Sequence, residues 1–162
     1  MLKKSYIWTA FIIMALGTVS IMAAGDKPFW TKGLTSAKFS QMQEKRLKQA
    51  DKILKKMLSL KGERTIKNTL KPYDEVLLLL DAAGAQASLM ENVHPDENYR
   101  AAAEKISQKV STFYSELSLN RGVYDALAAL DVSNADAETK FYVEKTLRSF
   151  KLSGVYKDEA TR

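Results

Sequence analysis

Apolar side chains recur at steps of three and four residues along most of this chain, and no stretch alternates apolar with polar long enough to make a strand. That period permits helices and argues against a sheet. From Ser36 to Leu60 the apolar positions Leu47, Ala50, Ile53, Leu54, Met57 and Leu58 share one side, while Lys45, Lys48, Lys52, Lys55 and Lys56 fall on the other. The lysine stripe reads as the solvated face of an amphipathic helix rather than as a ligand patch. Lys61-Gly62 should end this helix, and the Thr65 hydroxyl should cap the next one. Pro72 has no N–H to donate and crowds the preceding turn, so it should kink or restart the helix that carries helical spacing from Val76 to Met90. Four consecutive leucines, Leu77 to Leu80, predict that this helix is apolar on more than one side and sits centrally.

His94-Pro95-Asp96-Glu97 reads as a further helix start, with Pro95 at the first helical position and two carboxylates over the positive end of the dipole. That helix should run through Tyr99, Ala102, Ala103, Ile106, Val110, Phe113 and Leu117 until Asn120-Arg121-Gly122 interrupts it. Val123, Leu127 and Leu130 continue as a shorter helix. The polar loop Ser133 to Asp136 supplies caps for a last full helix carrying Phe141, Val143, Thr146, Leu147 and Phe150, which Gly154 should stop. The fold class is therefore all-α, an antiparallel helical bundle.

Composition bounds the function. At 162 residues, 46% apolar and 27% charged, the chain has room for one ordinary globular core. The net charge of +6 includes Lys3 and Lys4, and the other basic residues are interleaved with acids, without the arginine and aromatic clusters that follow a phosphate backbone. Nucleic acid is not an expected partner. The absence of cysteine excludes disulfides, thiolate metal sites and cysteine nucleophiles. Lys3-Lys4, the apolar stretch Ile7 to Ile21 and the small residues Ala23-Ala24-Gly25 have the three parts of a secretory signal. The domain reading is a signal peptide over 1–24, a linker over 25–35 and a helical domain over 36–162, in an exported protein, periplasmic or secreted. A membrane partner is expected only if Tyr6 to Ala24, close to the length that spans a bilayer, stays uncleaved.

No catalytic constellation is present. His94 is the only histidine, which rules out a two-histidine metal motif, and it reads as a loop or capping residue. Asp74-Glu75 and Asp96-Glu97 are neighbours that point about 100° apart on a helix, so neither forms an acid/base pair; both suit a helix's first turn. The aromatic residues Tyr73, Tyr99, Phe113, Tyr114, Tyr124, Phe141 and Tyr142 lie at helical spacing and read as core or helix-interface residues. Catalytic, cofactor-binding and metal residues are all read as none.

Four pieces carry a resemblance: Arg64 to Asp74, Val93 to Arg100 with the alanines that follow, Phe113 to Leu127, and Glu138 to Val155, with Tyr142-Val143-Glu144-Lys145-Thr146-Leu147-Arg148 ahead of Gly154. In this order and spacing, from Phe39 to Arg162, the chain resembles the N-terminal helical region of a thimet oligopeptidase/neurolysin-type zinc metallopeptidase. The resemblance implies the N-terminal part of a larger, mostly helical enzyme, forming one wall of a narrow channel that admits short peptides. It also implies a zinc held elsewhere, by a His-Glu-x-x-His helix and a later glutamate, none of which this sequence contains. The expected cofactor is thus none in this chain and zinc in the full-length enzyme, and short peptides are the expected partner together with a catalytic half. Asp158 to Arg162 has the composition of a helix begun and cut off after one turn. Two other readings stand beside this one: a stand-alone secreted or periplasmic helical binding module without enzymatic activity, and a helical adaptor tethered by an uncleaved leader.

Overall fold

The computed structural model describes residues 33–158. The leader expected over 1–24 lies outside them, as does the last helical turn expected over 158–162 apart from Asp158. Five α-helices follow one another: α1 Ser36–Leu58, α2 Lys71–Val93, α3 Glu97–Ser118, α4 Arg121–Ala128 and α5 Ala137–Ser153, with a π-helical turn Ile66–Leu70 leading into α2. There is no strand among the described residues, so the all-α expectation holds. No described helix is long and apolar enough to cross a membrane.

α1, α3, α4, α5 and the π turn ahead of α2 each start where a short polar side chain can take up orphan backbone N–H groups. Thr35 accepts from the Lys38 amide, Asn120 from the Val123 amide and Asp136 from the Thr139 amide. Thr65 and Asn68 cap each other reciprocally: the Asn68 amide donates to Thr65 Oγ1 at 3.2 Å, and the Thr65 amide to Asn68 Oδ1 at 2.9 Å. Behind this cap, the Lys71 amide reaches back five residues to the Ile66 carbonyl. The widened turn is placed immediately before Pro72, where an α-helical turn would press the ring against the carbonyl four residues back. The expected restart at Pro72 thus takes the form of a π turn. Arg64 closes the end of α1, donating to the carbonyls of Met57 at 2.7 Å and Leu60 at 3.0 Å. Gly154 stops α5 with φ of 91°, a left-handed conformation that costs glycine little.

Side-chain pairs set the packing directions. Asp81 meets Tyr114, and one helical stretch further along α2, Glu91 meets Ser107, so α2 and α3 run antiparallel. Gln43 near the start of α1 meets Gln86 late in α2, which makes that pair antiparallel as well. Phe39 on Tyr99 and Glu44 on Lys109 make α1 and α3 parallel. The core has two ends. Phe39, Ala83, Ala87, Tyr99, Ala103 and Ile106 fill one. Leu54, Met57, Leu80, Leu117, Val123, Leu127, Phe150 and Val155 fill the other, where α4 and α5 close the bundle. Alanine and glycine let α2 and α3 approach closely: a Cβ built on Gly84 would lie 3.2 Å from Val110 Cγ1.

Three expectations need correcting. Asp96, not the first helical residue, is the cap of α3, accepting from the Asn98 amide at 2.8 Å, so Pro95 lies outside the helix. The Asp96 side chain offers a cap that proline cannot, and it wins the position. Helix α2 is central as expected, and Leu77, Leu79 and Leu80 of the leucine run meet the core, but Leu78 is 63% exposed on a side that no described helix covers. Phe141 was expected at an interface and is 65% exposed.

A tyrosine-lined cleft between α2, α3 and α5

The lysine stripe of α1 is solvated as expected: Lys45, Lys48, Lys52, Lys55 and Lys56 are all exposed. His94 sits in the α2–α3 connection, where its ring stacks on Tyr99 at 3.8 Å and its Nδ1 accepts from the Asp96 amide at 3.1 Å. Arg100 in turn donates to the His94 carbonyl at 2.8 Å. This is a helix-start arrangement. Asp74 lies in the first turn of α2 and Glu97 in that of α3, so neither is set opposite a second carboxylate as an acid/base pair.

What the structure brings together is a set of tyrosines and aspartates that are far apart in the sequence. Tyr73, Asp74 and Asp81 come from α2, Tyr114 from α3 and Tyr142 from α5. A cleft of about 230 Å³ opens among the three tyrosines, floored by Tyr73, Leu77, Leu117 and Phe150, with the aspartates reaching it only through the Tyr114 and Tyr142 hydroxyls. Hydroxyls of Ser118, Thr146, Ser149 and Ser153 edge it. A second hollow of about 310 Å³ shares Tyr142 as a wall and is lined by Leu70, Lys71, Asp74, Glu138 and Thr139. The Tyr114 hydroxyl donates to Asp81 Oδ1, and the Tyr142 hydroxyl reaches Asp74 Oδ1 at 3.5 Å.

These phenols resist ionisation. Burial raises Tyr73 well above the ordinary value of 10.0, with the neighbouring Tyr142 and Asp74 adding to the effect. Burial also raises Tyr114, and its hydrogen bond to Asp81 adds more. Tyr142 is raised for the same reasons, by burial first and then by Asp74. All three are neutral donors at neutral pH. Among the described residues neither Asp74 nor Asp81 has a Lys, Arg or His ion-pair partner.

Sequence reading assigned Tyr73, Tyr114 and Tyr142 to helix interfaces, which is where they are, and missed that they surround a cleft. The only available signal was that Asp74 and Asp81 lie two turns apart on α2, on one face. The remaining partners are set by the tertiary fold. Another cleft, about 550 Å³ between α1 and α3, carries Glu44 and Glu116 with Lys105 and Lys109 and has no net sign. Among the described residues no group of three or more His, Asp or Glu side chains is placed to hold a metal ion, so the zinc implied by the resemblance has no ligand set here.

No protein-family profile matches the chain. Curated proteins do. The chain is 27% identical over 130 residues to mitochondrial intermediate peptidase of Mus musculus, covering 76% of this chain and 18% of the relative. It is 26% identical over 130 residues to the Homo sapiens protein of that name, with the same coverage. Mitochondrial intermediate peptidase 1 of Cryptococcus neoformans is 36% identical over 66 residues, 41% of this chain and 8% of the relative. The chain therefore spans less than a fifth of the length of these relatives. They are peptidases of the thimet oligopeptidase type, and this chain is similar to the N-terminal region of that type of enzyme, as its motifs imply.

The same relatives overturn the expectation of a periplasmic or secreted protein, since they are mitochondrial by name. Two lysines and no acid over the first 25 residues is a bias that mitochondrial transit sequences share with secretory ones, so charge alone did not separate the destinations.

Proposed function

We propose that this chain is the N-terminal helical portion of a zinc oligopeptidase, that it forms one wall of the channel that receives short peptides, and that it is not catalytic by itself. The observation that carries this reading is the match over three quarters of the chain to peptidases several times its length. Two structural features support it. The bundle offers clefts and hydroxyl-edged surface, and its one histidine, His94, is engaged at the start of α3 rather than beside a hydroxyl, which suits binding rather than bond cleavage. It also exposes apolar side chains in lines: Leu78, Leu89 and Val93 along α2, and Phe141 with Leu152 along α5, the latter 80% exposed. Such faces suit packing against another part of a larger enzyme.

The test uses the full 162-residue chain. Incubated with zinc and fluorogenic short peptides, it should show no hydrolysis and no stoichiometric zinc by elemental analysis, while a photoreactive short peptide should label it at the clefts. Hydrolysis with stoichiometric zinc would sink the non-catalytic reading, and absence of any labelling would sink the channel reading.

A further inference from the structure

We infer that the hollow between α2 and α5, lined by Leu70 and Asp74 on one side and by Tyr142 on the other, receives an arginine side chain of a bound peptide, with Asp74 as its carboxylate partner. This rests on the peptide-binding reading above and narrows it to a class of peptide.

Charge is the first argument. In a chain of net charge +6, a hollow that sets Asp74 and Glu138 against Lys71 alone is a local reversal of sign, and among the described residues Asp74 forms no ion pair. Its other charges, Lys71 and Glu138, offset each other. A mobile cation is therefore drawn to this hollow, and the low-dielectric face of Tyr142 strengthens the attraction. Geometry is the second. Asp74 is held by one long hydrogen bond of 3.5 Å, from Tyr142, which leaves both its oxygens open to a planar fork of N–H donors. Asp81 is engaged by Tyr114 and supplies field rather than a second contact. Shape is the third. The half-buried phenol ring of Tyr142 forms a wall common to both hollows, a flat surface on which a guanidinium stacks better than a compact ammonium does. The aliphatic stem would lie against Leu70 and the Tyr142 ring, and the hydroxyls edging the neighbouring cleft would meet the peptide backbone.

The experiment is a titration of the full chain with three short peptides that are identical except at one position, which is arginine, lysine or citrulline. Citrulline keeps the shape of arginine and removes its charge. The dissociation constants should rank arginine below lysine, with citrulline weaker than arginine by about tenfold or more. Asp74→Asn should abolish the arginine-over-citrulline preference, and Asp81→Asn should shrink it, each in a chain that circular dichroism shows to be folded at the titration temperature. Tyr142→Phe, which keeps the ring, should retain the preference, and Tyr142→Ala should lose it. Equal binding of the arginine and citrulline peptides, or a preference that survives Asp74→Asn, would overturn the inference while leaving peptide binding standing. Failure of every peptide to bind would overturn both.

Discussion

Gln43 shows how much a single side chain decides. It is fully buried among the bundle's helices, and its Nε2 donates to Gln86 Oε1 at 2.7 Å while its own Oε1 accepts from Arg46 at 2.9 Å. Arg46 also donates to Gln86 at 2.6 Å, so the three form a closed set between α1 and α2. Gln86→Leu leaves the Gln43 amide in the core without its acceptor, and should cost about 1–3 kcal/mol of stability by urea unfolding. Nothing in the sequence marked Gln43 as buried, because it stands among Gln41, Glu44, Lys45 and Arg46 and looks like part of a solvated face. Phe141 erred in the opposite direction, since side-chain apolarity alone says nothing about which side of α5 the rest of the bundle occupies. The buried tyrosines set a pH response at the same scale. Tyr73 and Tyr114 have folded pKa values raised above the ordinary 10.0. Below about pH 10 the phenols are neutral in both states and add no slope. Above it the unfolded chain loses these protons first, so unfolding becomes more favourable with rising pH. Melting temperature should be insensitive to these groups up to about pH 10 and then fall, with tyrosinate absorbance delayed until the bundle opens. Tyrosinate absorbance rising at the ordinary value while the fold persists would contradict this.

Elements in this bundle are started by caps and brought together by small residues. The turn at Thr65 combines a reciprocal cap, a π turn and Pro72 within a few residues, and of these the cap and the break were legible because they depend on local chemistry. Thr65→Ala should cost about 1 kcal/mol, readable as a lower denaturation midpoint with unchanged slope. The width of the turn was not legible, since it depends on how α2 must leave the turn to pack between α1 and α3. Gly84 belongs to the same class. The sequence shows a glycine in a helix, where it is a weak former. The structure gives the reason in its close approach to Val110. Gly84→Leu would have to push α2 away from α3, and should destabilise by about 1–3 kcal/mol despite the better helix propensity. Gly84→Ala sets a gain in propensity of about 1 kcal/mol against a methyl 3.2 Å from Val110, and its net effect should stay well below that of leucine. If leucine were tolerated as well as alanine, close packing of α2 on α3 would not be what the glycine provides.

At the level of the whole molecule, the two ends of the core are joined by helices that run through both, and Leu47 and Tyr114 pack against each of them. The helical class and the order of the elements followed from spacing and caps, whereas the division into two ends and the cleft at α2, α3 and α5 arise from contacts between residues far apart in sequence. Those contacts predict one cooperative unit. Leu80 is fully buried at the α4 and α5 end. Leu80→Ala leaves a cavity there and should cost about 2–5 kcal/mol. If the ends unfold together, that loss appears equally in the hydrogen exchange of slow amides around Ile106 at the far end and around Val143 beside the cavity, because each exchanges through the same global opening. If α4 and α5 open by themselves, Val143 loses protection and Ile106 keeps it. Equal loss is expected, since α2 and α3 form part of both ends and cannot be released from one while held in the other. A cleft whose walls come from α2, α3 and α5 would then be present only in the fully folded chain, and a variant such as Leu80→Ala should lose arginine-peptide binding and global stability at the same denaturant concentration.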